Sequence, residues 1–357
     1  MIPPKQQKQQ TALKITPEGD IAAVQCSLPS LQNDELLVRV RSIALNPFDA
    51  KSAEMSPTVG ATLGCDFAGD VVATGSDTNN LNFSIGDRVC GCVFGNNPNR
   101  LDNGAFAEYV AVPADLLLRI PENMDYNEAA KLGVGLATVG MSLYHCLQLP
   151  MEPELAGKSP YVLVYGGSTA TGTLMIQILA RSGYTPITTC SPHNFSLVKS
   201  LGAIAAFDYH SPTCGRQIRD YSSGTLCYAL DCITDTRSMA ICYEAIGPAG
   251  GQYLSLDPFP IRGHTRRSVK PNWVLSLTMY NQPIPWKRPF KRDARPQDRD
   301  FAKKWFQIAQ KIIDAGEIRP PMSEVRAGGW SGIPEGLGLL QRGEVSGRKL
   351  VYEVARN

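Results

Sequence analysis

The run Leu36-Leu37-Val38-Arg39-Val40 is apolar with a polar break, the pattern of a half-buried strand. Val71-Val72-Ala73, after Gly69-Asp70, repeats that signal, and Ser84-Ile85-Gly86-Asp87-Arg88-Val89 predicts a tight turn into another strand. Residues 104–110 begin a further one. The first part of the chain therefore reads as an irregular β domain with glycines at its corners. The middle then alternates β and α. Strands are predicted at 161–165, 186–190, 205–207, 226–232 and 252–256, with helices at 173–182 and 195–201. Alternation at this spacing predicts a doubly wound parallel sheet of the α/β class. Beyond Pro258 the chain is rich in Pro and Arg, then a helix is expected from about Asp300 to Ala315 and a last strand at 349–354.

Residues 132–149 carry no charge, long enough to raise the question of a membrane span. Thr138, Ser142, His145, Gln148 and three glycines interrupt the run, which favours a buried helix beside a ligand. The 357 residues suffice for two domains. A net charge of +2 gives no reason to expect nucleic acid or membrane as partner. The segment Met1-Ile2-Pro3-Pro4-Lys5-Gln6-Gln7 is polar, without an apolar signal core. The ten cysteines lack the spacing of a disulfide scaffold, and reduced thiols in the cytoplasm are expected.

Gly166-Gly167-Ser168-Thr169-Ala170-Thr171-Gly172 follows an apolar strand and opens a helix. Glycines there let backbone N–H groups approach a pyrophosphate, and the helix terminus adds partial positive charge. The spacing is not GxGxxG; the strand–loop–helix context carries the reading, against an ordinary strand–helix turn. The next strand leads into Cys190-Ser191-Pro192-His193-Asn194, with no acid to accept a ribose 2′-hydroxyl. Ser191 and Asn194 can donate to a 2′-phosphate, as can protonated His193, so NADPH is expected over NADH. The alternative for His193 is a plain surface histidine.

Over nearly its whole length the chain resembles the medium-chain dehydrogenase/reductase superfamily. Within it, residues 161–171, 189–195, 228–234, 245–251 and 343–351 resemble the fungal trans-acting enoyl reductases of highly reducing polyketide synthases, the lovastatin reductase group. The resemblance implies a Rossmann-type sheet inserted into a GroES-like catalytic domain, with bounds 1–152, 153–285 and 286–357. It implies NADPH-dependent reduction of an α,β-unsaturated thioester on the acyl carrier domain of a partner polyketide synthase (PKS or PKS-NRPS), by a monomer. By matching positions, Ser168, Thr169, Ala170, Thr171, Ser191, Pro192, His193, Asn194 and Tyr209 would hold the adenosine phosphate side. Ser255, Leu256, Ser346 and Gly347 would line the nicotinamide end. The loop bearing Phe48, Asp49 and Lys51 would face the cofactor. Thr138, Val139, Gly140 and Met141, in a stretch of small residues, would line the acyl pocket, with Tyr280 as its other wall; plain helix packing is the alternative for that stretch.

Zinc alcohol dehydrogenases of the superfamily have Gly-His-Glu where this chain reads Gly64-Cys65-Asp66, so the histidine ligand is missing. No metal is expected; the alternative is an unusual site using Cys65 and Asp66. Lys51 is the first candidate to offset enolate charge or donate a proton, with cofactor binding or pairing to Asp49 as alternatives. Asp49 is expected to be ionised at neutral pH and to position Lys51. From 262 to 304 there are twelve Lys/Arg and three Asp, leaving the rest of the chain at −7. Such a basic stretch would steer an acidic carrier domain, or it is simply a solvated Arg-rich loop. Two rival functions stay open: a zinc-free quinone or enone reductase, and a non-catalytic NADPH-binding accessory protein.

Overall fold

The computed structural model describes residues 9–78, 83–151 and 159–354. The polar segment 1–7 and the boundary expected at 152/153 lie outside them. The chain divides into two compact units, Met1–Val134 with Leu277–Asn357, and Gly135–Ser276.

In the first unit β1 (Gln9–Ile15) and β2 (Ile21–Ser27) form an antiparallel pair that the sequence reading did not anticipate. Then come β3 (Glu35–Ala44), β4 (Asp66–Thr74), β5 (Arg88–Cys92), β6 (Tyr109–Pro113) and β7 (Leu117–Arg119). The second unit supplies β8 (Tyr161–Tyr165), β9 (Thr185–Thr189), β10 (Ala205–Phe207), β11 (Tyr228–Asp231), β12 (Gly251–Ser255) and β13 (Val269–Trp273). The chain then returns to the first unit for β14 (Ser323–Arg326) and β15 (Lys349–Glu353). The order β14-β15-β3-β4-β5-β7, with β6 also on β3, makes one sheet from both ends of the chain. β3 is buried at most positions because β4, β6 and β15 all pair with it; half-buried Arg39 and Arg41 break the run, and Arg41 meets Asp70 at 2.6 Å. Leu13, Val38, Ile43, Phe67, Phe106 and Tyr352 fill the core beneath.

The second unit is a parallel sheet in the order β10-β9-β8-β11-β12-β13, the α/β architecture expected. Its strand order reverses between β8 and β11, where open sheets of this kind bind ligands. β8 is buried along Val162-Leu163-Val164, as a central parallel strand must be. β13 is one edge and carries exposed Lys270 and half-buried Pro271, which discourage extension of the sheet. The uncharged run forms the helix Gly133–Gly140 and a wider π-helical turn at Met141–Cys146, almost wholly buried. Among the described residues no helix is long and apolar enough to cross a membrane.

The second bound expected from sequence, 285/286, differs from the packing division at 276/277. Tyr280 and Trp286 belong with the first unit because both rings pack on Phe94, with centroids 6.5 and 5.2 Å away. The long helix is Pro296–Asp314, starting before the expected Asp300: Pro296 suits a first helical position and Asp298 a first turn. The helix Gly329–Gln341 was not anticipated, since it contains Pro334 and follows Gly328 at φ +100°.

Candidate active site

In the second unit the chain leaves β8 through Gly166, whose φ of +82° favours glycine. The N–H groups of Gly166 and Gly167 are donated to the Thr189 carbonyl at 3.1 and 2.9 Å, pinning the loop against β9. A Cβ on Gly167 would lie 1.9 Å from Thr188 Oγ1, so only glycine allows this approach. Thr169 then caps the helix Ala170–Arg181, its Oγ1 accepting the Gly172 N–H at 3.0 Å. Ser168, Ala170 and Thr171 surround that cap and are half-buried.

Beyond β9, Ser191 leads into a single tight turn, Pro192–Asn194. The Ser191 and Tyr209 hydroxyls stand 3.2 Å apart, and the Tyr209 ring lies 6.2 Å from that of Tyr165. Asn194 Nδ2 is 3.2 Å from His193 Nε2. The carboxyl ends of β8, β9 and β10 thus bring Ser168, Thr169, Ala170, Thr171, the 191–194 turn and Tyr209 to one edge of the sheet. The N–H groups of Gly166, Gly167 and Gly172 are spent within the protein, so the glycines give close approach rather than donors; the helix terminus and the hydroxyl and amide donors fit a dinucleotide phosphate. The neighbouring acid, Asp208, is tied to His210, whose backbone N–H (2.9 Å) and ring Nδ1 (2.8 Å) meet its Oδ1 and draw its carboxyl below the usual range.

Ser255 ends β12 and Leu256 follows it. The Ser255 hydroxyl donates to the Asp257 carbonyl at 2.7 Å, and the Leu256 N–H to the Asp231 carbonyl at 3.1 Å. Thr138, Val139, Gly140 and Met141 run from the helix into its π-helical turn and are buried. Two residues of this unit had not been singled out. Arg237 donates to the Tyr209 and His210 carbonyls at 2.9 and 3.2 Å, bringing a cation to the Tyr209 turn. Asp231 accepts from the Ile233 and Thr234 N–H groups and the Ser238 and Tyr253 hydroxyls, which fixes the loop after β11. Neither is legible locally, because each acts across a fold contact.

The first unit holds Phe48, Asp49, Lys51, Tyr280, Ser346 and Gly347. Asn46 and Pro47 open the helix Pro47–Met55, and Asp49 Oδ2 accepts the Asn46 N–H at 2.7 Å, one half of a capping box. The Asn46 amide also donates to Asp66 Oδ2 at 3.0 Å. Asp66, fully buried at the start of β4, accepts the Val134 N–H at 2.6 Å and pairs with the Lys349 ammonium. The cation facing Asp66 is therefore Lys349, a residue that sequence reading passed over.

Asp49 is 1% exposed, and its Oδ1 has no N–H or O–H partner. Burial pushes its carboxyl up to about 7, against the Asn46 N–H and the adjacent Cys65 thiol, which lower it. This corrects the expectation of a fully ionised Asp49 at neutral pH: its charge is desolvated and only partly compensated. Lys51 is exposed on the same helix. The Tyr280 hydroxyl donates to the Cys92 carbonyl at 2.7 Å. Burial raises the Cys92 thiol to about 12 and the Cys65 thiol well above its ordinary value, so both stay protonated at neutral pH. Ser346 is exposed, and Gly347 at φ +68° turns the chain into β15. Among the described residues no cysteine forms a disulfide. Among the described residues no group of three or more His, Cys, Asp or Glu is arranged to hold a metal ion.

Residues 32–122 match the alcohol dehydrogenase GroES-like domain. The trans-enoyl reductase apdC of Emericella nidulans is 81% identical over 99% of both chains. The trans-enoyl reductase opdC of Penicillium oxalicum is 52% identical over 97% of both. Among solved structures, a putative zinc-dependent alcohol dehydrogenase from Rhizobium etli superposes with a TM-score of 0.80 at 22% identity, covering 98% of this chain and 99% of that one. The CurK enoyl reductase does so with 0.74 at 16%, covering 97% and 100%. These two establish the fold, and the full-length identities establish the kinship: the chain belongs to the fungal trans-enoyl reductases, oxidoreductases of the medium-chain dehydrogenase/reductase superfamily.

Proposed function

We propose that this enzyme uses NADPH, without zinc, to reduce the α,β-double bond of an enoyl thioester carried on the acyl carrier domain of a partner polyketide synthase (PKS or PKS-NRPS) in fungal secondary metabolism. The observation that carries the cofactor choice is the acid-free 191–194 turn beside a glycine-cradled helix terminus. A carboxylate there would repel a 2′-phosphate, whereas Ser191, Asn194 and Tyr209 offer donors. Arg237 adds positive charge at the Tyr209 turn. NADPH, when bound, supplies the hydride for the β-carbon.

The chain's own residues handle the charge that follows. As negative charge gathers on the thioester oxygen, the Lys51 ammonium offsets it or passes a proton toward the α-carbon. Asp49, holding a proton up to about pH 7, keeps an opposing negative charge off the helix on which Lys51 rides. Ser255, Leu256, Ser346 and Gly347 are assigned to the nicotinamide end, and Phe48 to the cofactor face. Thr138, Val139, Gly140 and Met141 are assigned to the acyl chain. Tyr280, anchored through its hydroxyl, is assigned to the same substrate.

The Lys270-Pro271 edge of β13 supports a monomer, and ten cysteines without a disulfide suit the cytoplasm. Steady-state assays with crotonyl-pantetheine and either cofactor test the reading. A strong preference for NADPH with formation of the saturated thioester is expected. Equal use of NADH would overturn the cofactor choice, and activity on quinones alone would favour a quinone reductase.

A further inference from the structure

Between Ile284 and Pro296 the sequence holds five cations, Lys287, Arg288, Lys291, Arg292 and Arg295, and one carboxylate, Asp293. The apolar residues of this loop face inward: Ile284, Trp286 and Phe290 are buried, while Lys287, Arg288, Lys291 and Arg295 are exposed. The loop is also fastened. Ile284 and Arg292 exchange backbone hydrogen bonds at 2.8 and 3.1 Å, and the Trp286 indole N–H is donated to the Asn96 carbonyl at 3.2 Å. Arg292 turns its guanidinium back on the Pro289 and Lys291 carbonyls. Burial, and after it the charge of Arg295, lowers its pKa.

The rest of the basic stretch differs. Arg266 spends its donors on the Tyr243, Ile246 and Gly247 carbonyls. Arg299 and Lys303 are matched by Asp115, and Arg299 also by Asp34. They help line a cavity of about 860 Å³ that also presents Asp34, Glu35 and Asp102, so its charge is balanced and selects no anion. In the 284–296 loop Arg295 meets Asp298 at 4.0 Å, while Lys287, Arg288 and Lys291 remain exposed and outnumber Asp293.

Position gives this excess a use. The Trp286 ring lies 5.7 Å from that of Phe48, at the start of the helix that carries Lys51. Within the first unit, then, a rigid cationic loop is packed through one indole onto the candidate catalytic helix. We propose that Lys287, Arg288 and Lys291 form the docking surface for the acidic carrier domain and the phosphate of its phosphopantetheine arm, delivering the thioester toward Lys51. This rests on the carrier-borne substrate proposed above. Opposite charge steers encounter and orients the partner more than it adds affinity, and salt screens it.

The test uses the full chain with NADPH and two substrates: crotonyl on a phosphopantetheinylated carrier domain of a highly reducing polyketide synthase, and crotonyl-pantetheine. The wild-type kcat/KM on the carrier should fall steeply as salt is raised, and on the small thioester hardly at all. The triple variant Lys287→Glu, Arg288→Glu, Lys291→Glu should lose at least tenfold on the carrier and keep its activity on crotonyl-pantetheine, which also reports that it is folded. Reversal of Arg262, Arg267 and Lys270, exposed cations of the other unit, should leave both substrates unchanged. Wild-type carrier activity in the triple variant, equal loss on both substrates, or absence of a salt effect in the wild type would overturn the docking surface. Failure of the wild type on both substrates would instead overturn the enoyl thioester reading, and the docking surface with it.

Discussion

At the carboxyl edge of the parallel sheet the polar groups come from short contiguous segments, 166–172 and 191–194, and several stay half open to solvent. At the start of the helix Pro47–Met55 they come from positions as distant as Asn46, Asp66, Val134 and Lys349, and most are buried. In the function proposed above, the first region offers donors to the cofactor's phosphate. The second balances its own charge in a medium that solvates ions poorly: one ammonium meets Asp66, while Asp49 retains its proton to about pH 7. Recognition is thus assembled from local backbone, and charge control from the closed fold.

The contrast breaks most visibly at Lys349. Lys349→Met would leave Asp66 buried without its ammonium and should cost about 3–5 kcal/mol of stability in urea denaturation. Pairing it with Asp66→Asn should recover most of that loss; no recovery would mean the damage is not electrostatic. Lys51→Ala comes next. Turnover at saturating NADPH should fall about a hundredfold, the scale of removing one donor at developing charge. Unchanged turnover would take Lys51 out of the chemistry.

In the nucleotide unit, Ser191→Asp should cut the preference for NADPH over NADH about tenfold, a change of about 1.4 kcal/mol, read from the ratio of kcat/KM values. An unaltered ratio would move 2′-phosphate recognition away from this turn. Asp49→Asn should alter activity least and show instead in the pH dependence of stability. The unfolded chain releases the Asp49 proton near pH 4, and the folded protein near pH 7. Folded protein therefore holds the extra proton in that window, and stability is lost as pH rises through it. The Asn variant lacks this loss, so its melting temperature should gain on the wild type between pH 5 and pH 8. A constant difference across that range would mean that Asp49 titrates normally.

The same contrast explains what could be read in the sequence. Tyr161–Tyr165 and Ala205–Phe207 are strands at the expected bounds because burial and period-two geometry act on neighbouring residues. The strand–loop–helix around Gly166–Gly172 was legible for the same reason. Lys349, Arg237 and Asp231 have no role legible in the sequence, and Asp66 figures there only as an alternative metal ligand, since none has a local pattern and each acquires its partner only when distant strands or helices meet. The helix Gly329–Gln341 was hidden by Pro334 and its glycines, which its packing through Ile333 and Leu337 onto the first core overrides.

Intact-mass analysis of an enoyl-loaded carrier domain, incubated with this enzyme and NADPH, tests the central claim most directly. The account predicts that the acyl group gains two hydrogens as one NADPH is oxidised per thioester, with far slower conversion when NADH replaces it. An acyl mass that stays unchanged while NADPH binds, or while free quinones are reduced, would contradict it.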